Sequence, residues 1–196
     1  MALHITGVAA EDALLTDSPL ALLLGMLLDQ QIAMETAFAG PLKIQQRTGS
    51  LDAAALASFD PDALTAVFKE TPAVHRFPGS MAARVQSLCR ALVDDWGGDA
   101  AALWTRPAAS GTEPDGPTVL KRLKALPGFG EQKAKIFLAL LGKQYGVDAK
   151  GWRAAAGDYG KAGTHMSVAD VKDPGTLQKV RSYKKEAKAA AKAAKG

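Results

Sequence analysis

The sequence predicts an all-α protein in which two small helical lobes share one core. Three observations carry this. Apolar residues recur at helical spacing almost from end to end, helix starts are repeatedly marked by a capping residue followed by proline, and no stretch shows the alternation of a half-buried strand. At 196 residues and 47% hydrophobic, the chain carries enough apolar material for such a core. It contains no internal repeat.

Ser18-Pro19 places a capping hydroxyl and a first-turn proline ahead of an apolar run expected to stay helical to about Phe38. Gly40-Pro41 should break it, with a shorter helix over residues 42–47 and another beginning at Ser50 or Leu51. Asp60-Pro61 repeats the cap-then-proline pattern for a helix reaching Phe68. A loop with two prolines covers 71–78. Ser80 is then the expected cap of a long amphipathic helix ending near Trp96, where Gly97-Gly98 stops it. A short helix is expected over 99–104 and a loop over 107–117, followed by a helix at 119–125, a tight turn at 126–130 and a helix at 131–145. Residues 146–173 are glycine-rich, with a short helix at 152–156. From Thr176 onward, alanine and lysine favour helix. The chain thus divides into a helical domain over 1–175 and a basic helix or tail over 176–196.

Composition excludes several functions. The single cysteine, Cys89, cannot form an intramolecular disulfide, a cysteine-ligated zinc site or an iron–sulfur cluster, and its pattern with Val85, Leu88, Leu92 and Val93 marks a core position. His4, His75 and His165 are scattered without metal-ligand spacing. No metal and no cofactor are expected. The apolar run over 20–28 is cut by Asp29-Gln30-Gln31, too short to span a bilayer, and the N-terminus lacks a basic stretch leading into a cleavable apolar segment. A monomeric, cytoplasmic, nucleoid-associated protein without membrane contact is expected.

Net charge is a modest +4, but between Lys179 and Lys195 lie six lysines and Arg181 against the single acid Glu186. Charge so concentrated suits a polyanionic partner, or simply a solvated terminal helix. The segment from Tyr183 lacks a large apolar stripe, so Lys184, Lys185 and Lys188 are expected to add salt-dependent affinity for DNA phosphates without reading sequence.

The most specific local pattern is Leu126-Pro127-Gly128-Phe129-Gly130, followed by Glu131-Gln132-Lys133-Ala134-Lys135-Ile136. One helix must stop, turn and restart within five residues. Pro127 ends it, while Gly128 and Gly130 are expected to adopt backbone angles closed to other residues. Without Cβ atoms the turn can also approach a phosphate at the positive end of the next helix, where Lys133 and Lys135 add charge. A plain αα-corner would need only part of this string. The whole string closely resembles the DNA-binding hairpin of the helix-hairpin-helix (HhH-GPD) base-excision DNA glycosylase superfamily.

Two further strings match in the family's order. In Gly25-Met26-Leu27-Leu28-Asp29-Gln30-Gln31-Ile32, paired glutamines interrupt a hydrophobic helix and need a polar network, a solvent-facing edge or a ligand. The segment resembles the Ile-Leu-x-Gln-Gln string of the alkylated-purine branch, which lies against DNA near the lesion. Phe77-Pro78-Gly79-Ser80, leading to Arg84 and an apolar helix, is similar to the same branch. The three matches span roughly 18–157.

The resemblance implies a helical DNA-glycosylase-like fold and double-stranded DNA as partner. DNA contacts fall on Gln30, Gln31, Arg84, Pro127, Gly128, Phe129, Gly130, Gln132 and Lys133, besides the tail lysines. Members with lyase activity place a Schiff-base lysine two residues after the second hairpin glycine. Gln132 stands there, and Lys133 is rotated about 100° away on the helix. The resemblance therefore implies a monofunctional enzyme that uses water. It also implies an aspartate beyond the hairpin: Asp148, in Val147-Asp148 with Arg153 five residues on, or Asp170 as rival, since the connection to Asp148 is shorter than in better-known members. Trp152, Tyr159 and Phe77 are available to stack on a base or to fill the core. A glycosylase acting on a damaged base and a non-catalytic DNA-binding or damage-sensing protein both fit.

Overall fold

In a computed structural model, which describes residues 2–108 and 111–193, the chain forms two packed groups of helices. Ala109 and Ser110 of the expected loop, and residues 194–196 of the tail including Lys195, lie outside the described residues. The first group comprises α1 (Ala9–Asp17), α2 (Pro19–Leu28), α3 (Met34–Thr48), α4 (Ala53–Ser58), α5 (Pro61–Lys69) and α6 (Pro78–Trp96). The second comprises α7 (Ala102–Thr105), α8 (Gly116–Lys124), α9 (Glu131–Gln144), α10 (Trp152–Ala155) and α11 (Pro174–Ala193), with 3₁₀ turns at Gly157–Gly160 and Val168–Asp170. No strand occurs among the described residues, and no helix there is long and apolar enough to cross a membrane.

The two groups share a continuous core, and α2 stands at their junction. Every residue from Leu20 to Leu28 is buried, so α2 has no polar face and must be covered on all sides. It packs against α1, α3 and α6 in its own lobe and against α9 in the other. Ser18 caps it by accepting the Ala21 N–H at 3.1 Å. Gly25 lets α3 come close: a Cβ there would stand 2.5 Å from the Phe38 ring.

Two expected boundaries are corrected here. The long helix over 18–38 is two helices, because extending α2 past Leu28 would carry Asp29, Gln30 and Gln31 into a fully buried environment. The chain instead turns over 29–33 and restarts at Met34. Conversely, α3 runs through Gly40-Pro41. Pro41 removes one intrahelical hydrogen bond, but Ala37, Phe38 and Ile44 bury the same face on both sides of it and hold the helix. Smaller shifts have local causes. Asp52 rather than Ser50 caps α4, Asp115 starts α8 at Gly116, and α6 begins at Pro78 with Ser80 already inside it. Helix α1 lies outside the sequence expectation. It is tied down by Asp12, whose buried carboxylate accepts N–H bonds from Ile5, Thr6 and Gly7.

In the second lobe two glycines let Trp152 mesh α8, α9 and α10 together. A Cβ on Gly142 would meet the indole at 2.3 Å, and one on Gly116 the Trp152 backbone at 2.4 Å. Trp152 is therefore core, not a stacking platform. Cys89 is fully buried in α6, and burial pushes its thiol up to about 12, making it inert as a nucleophile.

Candidate nucleic-acid interface

Helices α8 and α9 form a hairpin whose turn is exposed at Gly128 and Gly130, half-buried at Pro127, and anchored at Phe129. Where the turn reaches Gly128, Pro127 precedes it and Phe129 is buried, edge-on to Phe137 with centroids 6.0 Å apart. The Phe129 N–H is used by the Leu126 carbonyl. The Phe129 side chain thus pins the turn to the core, which leaves its backbone as the part of this residue at the turn's surface. Gly128 has φ +81°, in the left-handed region, and a Cβ there would fall 2.5 Å from Leu27 Cδ1. Gly130 differs. Its φ of −75° suits any residue, so the expectation of a glycine-only backbone fails there. What Gly130 provides is open space at the N-terminus of α9: a Cβ at this position would meet nothing within 4 Å. No side chain caps α9, so its first N–H groups face that space at the positive end of the helix.

The hairpin lysines are mostly engaged within the protein. Lys133 turns inward to donate from Nζ to the Leu27 carbonyl at 2.8 Å. Loss of hydration pushes its amine down to about 8, with Asp29 opposing and Arg84 reinforcing the shift. Lys135 and Lys124 both pair with Glu131, at 2.7 and 3.3 Å. Gln132 is exposed and donates from Nε2 to the Tyr159 hydroxyl at 2.8 Å.

The turn between α2 and α3 lies against this hairpin through Leu27. Gln30 is held from three directions: Nε2 donates to the Leu27 carbonyl at 2.8 Å, Oε1 accepts from Arg84 at 2.9 Å, and its carbonyl meets His75 Nε2 at 3.0 Å. The Phe77 N–H donates to His75 Nδ1 at 3.0 Å, which leaves the proton of the neutral ring on Nε2, donating to Gln30. Burial lowers the His75 pKa from 6.5, against the raising influence of the Gln30 and Leu28 carbonyls. Gln31, with φ 59°, is the sole non-glycine residue in the left-handed region among the described residues, and its side chain is exposed at the tip. Phe77, 40% exposed beside the Arg76 guanidinium at 5.3 Å, stands on the adjoining loop.

Helix α11 reaches the same turn. Val180 is buried and Leu177 packs on the core, while Lys184 lies 3.6 Å from Asp29 and Arg181 pairs with Glu35. Lys185 and Lys188 follow, exposed, along the same helix.

The two sequence-derived aspartates lie elsewhere. Asp148 borders a cavity of about 520 Å³ with Trp104, Glu113, Asp115 and Lys150; that lining includes no residue of the 29–33 turn or of the hairpin turn. Asp170 is buried and engaged on all sides, by Lys143 Nζ at 2.6 Å, Thr164 Oγ1 at 3.2 Å, and the Met166 and Ser167 N–H groups at 2.8 and 3.3 Å. It fastens the 164–170 segment to α9.

A glycine turn at an uncapped helix start therefore sits beside a paired-glutamine turn, the arrangement of a DNA-repair hairpin. The family profile of HhH-GPD superfamily base excision DNA repair proteins matches residues 24–195. The chain belongs to this superfamily. No curated protein matches it. Membership makes DNA its substrate, and a repair glycosylase its coarse class. Within this HhH-GPD chain, Gln30, Gln31, Arg84, Gly128, Lys133 and Lys184 converge at the end of α2, with Pro127, Gly130 and Gln132 along the hairpin. The same cluster also contains His75, Asp29, Glu35 and Arg181, which no local sequence pattern singles out. His75 is 45 residues from Gln30, and no local pattern joins them.

The two hairpin glycines should separate experimentally. Gly128→Ala should cost about 2 kcal/mol or more, from left-handed strain and overpacking on Leu27, seen as a lower urea midpoint. Gly130→Ala should leave stability within about 0.5 kcal/mol. It should nevertheless weaken duplex binding several-fold in a fluorescence-anisotropy titration.

Protonating His75 puts a charge in a desolvated place and removes the Nδ1 acceptor. The folded protein binds this proton less readily than the unfolded chain, so the associated stability is present above 6.5 and is lost as pH falls from there through the lowered folded value. An NMR titration should give a His75 midpoint below 6.5, with the Phe77 amide following the same curve. A midpoint at or above 6.5 would contradict the buried neutral ring.

Proposed function

We propose that this protein is a monofunctional glycosylase of the alkylated-purine branch, acting on double-stranded DNA as a monomer and hydrolysing the N-glycosidic bond of a damaged base. The observation that carries the reading is the junction at Leu27. The hairpin turn and the Gln30-Gln31 turn are held against one residue, so the element that grips phosphate and the element that meets the damaged site move as one body. Gln132 stands where a lyase lysine would be and is bonded to Tyr159, while the amine of Lys133 is engaged with a carbonyl. One cysteine cannot supply the ligands of an iron–sulfur cluster, so the proposed enzyme works without one. Such an enzyme belongs with the chromosomal DNA of the cytoplasm.

A second reading, a damage-binding protein without catalysis, is favoured by one observation: Asp148 borders a separate cavity and Asp170 is fully engaged in a buried ion pair. The readings are separated by incubating the protein with duplexes carrying single 7-methylguanine, 3-methyladenine, hypoxanthine, uracil or 8-oxoguanine residues and measuring free base by mass spectrometry. Base release with no borohydride-trapped protein–DNA adduct is expected. A trapped adduct lost in Lys133→Met would assign lyase chemistry instead, and binding without release from any duplex would favour the second reading. Asp148→Asn belongs in the same series. Asp170→Asn is expected to lower stability by about 3 kcal/mol or more, since it leaves Lys143 buried without its counter-charge.

The tail is proposed to bind phosphate. Replacing Lys184, Lys185 and Lys188 together by alanine should make the plot of log affinity against log salt shallower by roughly 2 to 3, at about 0.9 for each phosphate no longer neutralised. An unchanged slope would remove the tail from the interface.

A further inference from the structure

Asp29 occupies an electrostatically poor position. It is the C-cap of α2, at the negative end of the helix dipole, and α2 carries no basic residue in its own last turn. Its side chain is only 13% exposed. The compensating cations come from elsewhere in the fold: Lys133 on the hairpin helix, and Lys184 on α11 at 3.6 Å. Both elements that bring charge to the interface thus converge on one carboxylate, and that carboxylate immediately precedes Gln30-Gln31. Neither aspartate indicated by the sequence shares this place.

We propose that Asp29 is the carboxylate that acts on the sugar, an assignment that rests on the glycosylase reading above. Lys184 is 43% exposed and Arg181, paired with Glu35, is 51% exposed, so DNA phosphates can take both cations when the duplex docks. Asp29 is then left facing the nucleotide drawn out at the Gln30-Gln31 turn. A water oxygen bonds to C1′ as the C1′–N bond breaks. The electron pair of that bond leaves with the base, so a cationic 7-methylguanine departs neutral, and Asp29 accepts the proton released by the water. In the transition state the same carboxylate stabilises the positive charge on the sugar. Lys184 is a masking residue, holding Asp29 until DNA arrives.

The test uses the full chain and whichever duplex of the lesion series the wild type accepts. Single-turnover base release, duplex affinity and melting temperature are measured for wild type, Asp29→Asn, Asp29→Glu and Asp148→Asn. Expected are a loss of at least about a hundredfold in release for Asp29→Asn, partial recovery in Asp29→Glu, and near-wild-type release in Asp148→Asn. Duplex affinity of Asp29→Asn should be equal or tighter, since a negative charge beside the phosphates is gone. That readout separates chemistry from a merely structural role, which would weaken binding and melting together. Wild-type release rates in Asp29→Asn, or loss confined to Asp148→Asn, overturn the Asp29 assignment while leaving the glycosylase reading intact. Absence of release by the wild type overturns both.

Discussion

The junction between α2 and α9 is the contact on which the rest of this structure depends. Leu27 takes part twice. Its side chain fills the space that a Cβ on Gly128 would need, and its carbonyl, one of the orphan acceptors of a helix end, accepts from both Lys133 and Gln30. Apolar packing and a charge-assisted hydrogen bond act at one residue, so the hairpin cannot slide along α2 without losing both. The half-buried lysine is tolerated because the helix end offers it a carbonyl and Asp29 offers it a countercharge. The lowered pKa of Lys133 records what desolvation still costs.

From that junction the interface builds outward in two directions. Through Gln30, order passes to Arg84 on α6 and to His75 on the preceding loop, so the glutamine turn is braced from the first lobe. Through Asp29 and Glu35 it passes to α11, the last element of the second lobe. A turn of five residues, 29–33, is thereby braced by elements distant along the chain. This explains why the turn can carry a left-handed non-glycine residue at its tip: its neighbours fix the backbone so that Gln31 has no easier conformation available.

How much of this is legible in the sequence differs by element. Helix starts with a side-chain acceptor and a proline, such as Ser18-Pro19 and Asp60-Pro61, stand out because their chemistry is local. The hairpin is legible for the same reason, whereas the roles of Phe129 and Gly130 depend on neighbours absent from the local string. Pro41 carries the sequence signal of a break, but burial on both sides of it outweighs one missing hydrogen bond. The candidate acids illustrate the deeper limit. Asp148 and Asp170 are singled out by their distance along the chain from the hairpin, whereas a site is assembled by distance in space. The pairing of Lys143 with Asp170 and of Lys184 with Asp29 joins residues that no periodicity relates.

Helix α11 is held to the body near its start, through Leu177 and Val180, while every residue from 181 to 193 is exposed. At about 1.5 Å per residue, that outer portion is about 20 Å long. Laid along a duplex it runs beside about six base pairs, at roughly 3.4 Å each. On the proposed tail contact, the footprint would be lopsided, overhanging the target by about half a helical turn on one flank only. A lesion close to a strand end would then not be equivalent on its two sides, giving the molecule a direction on DNA.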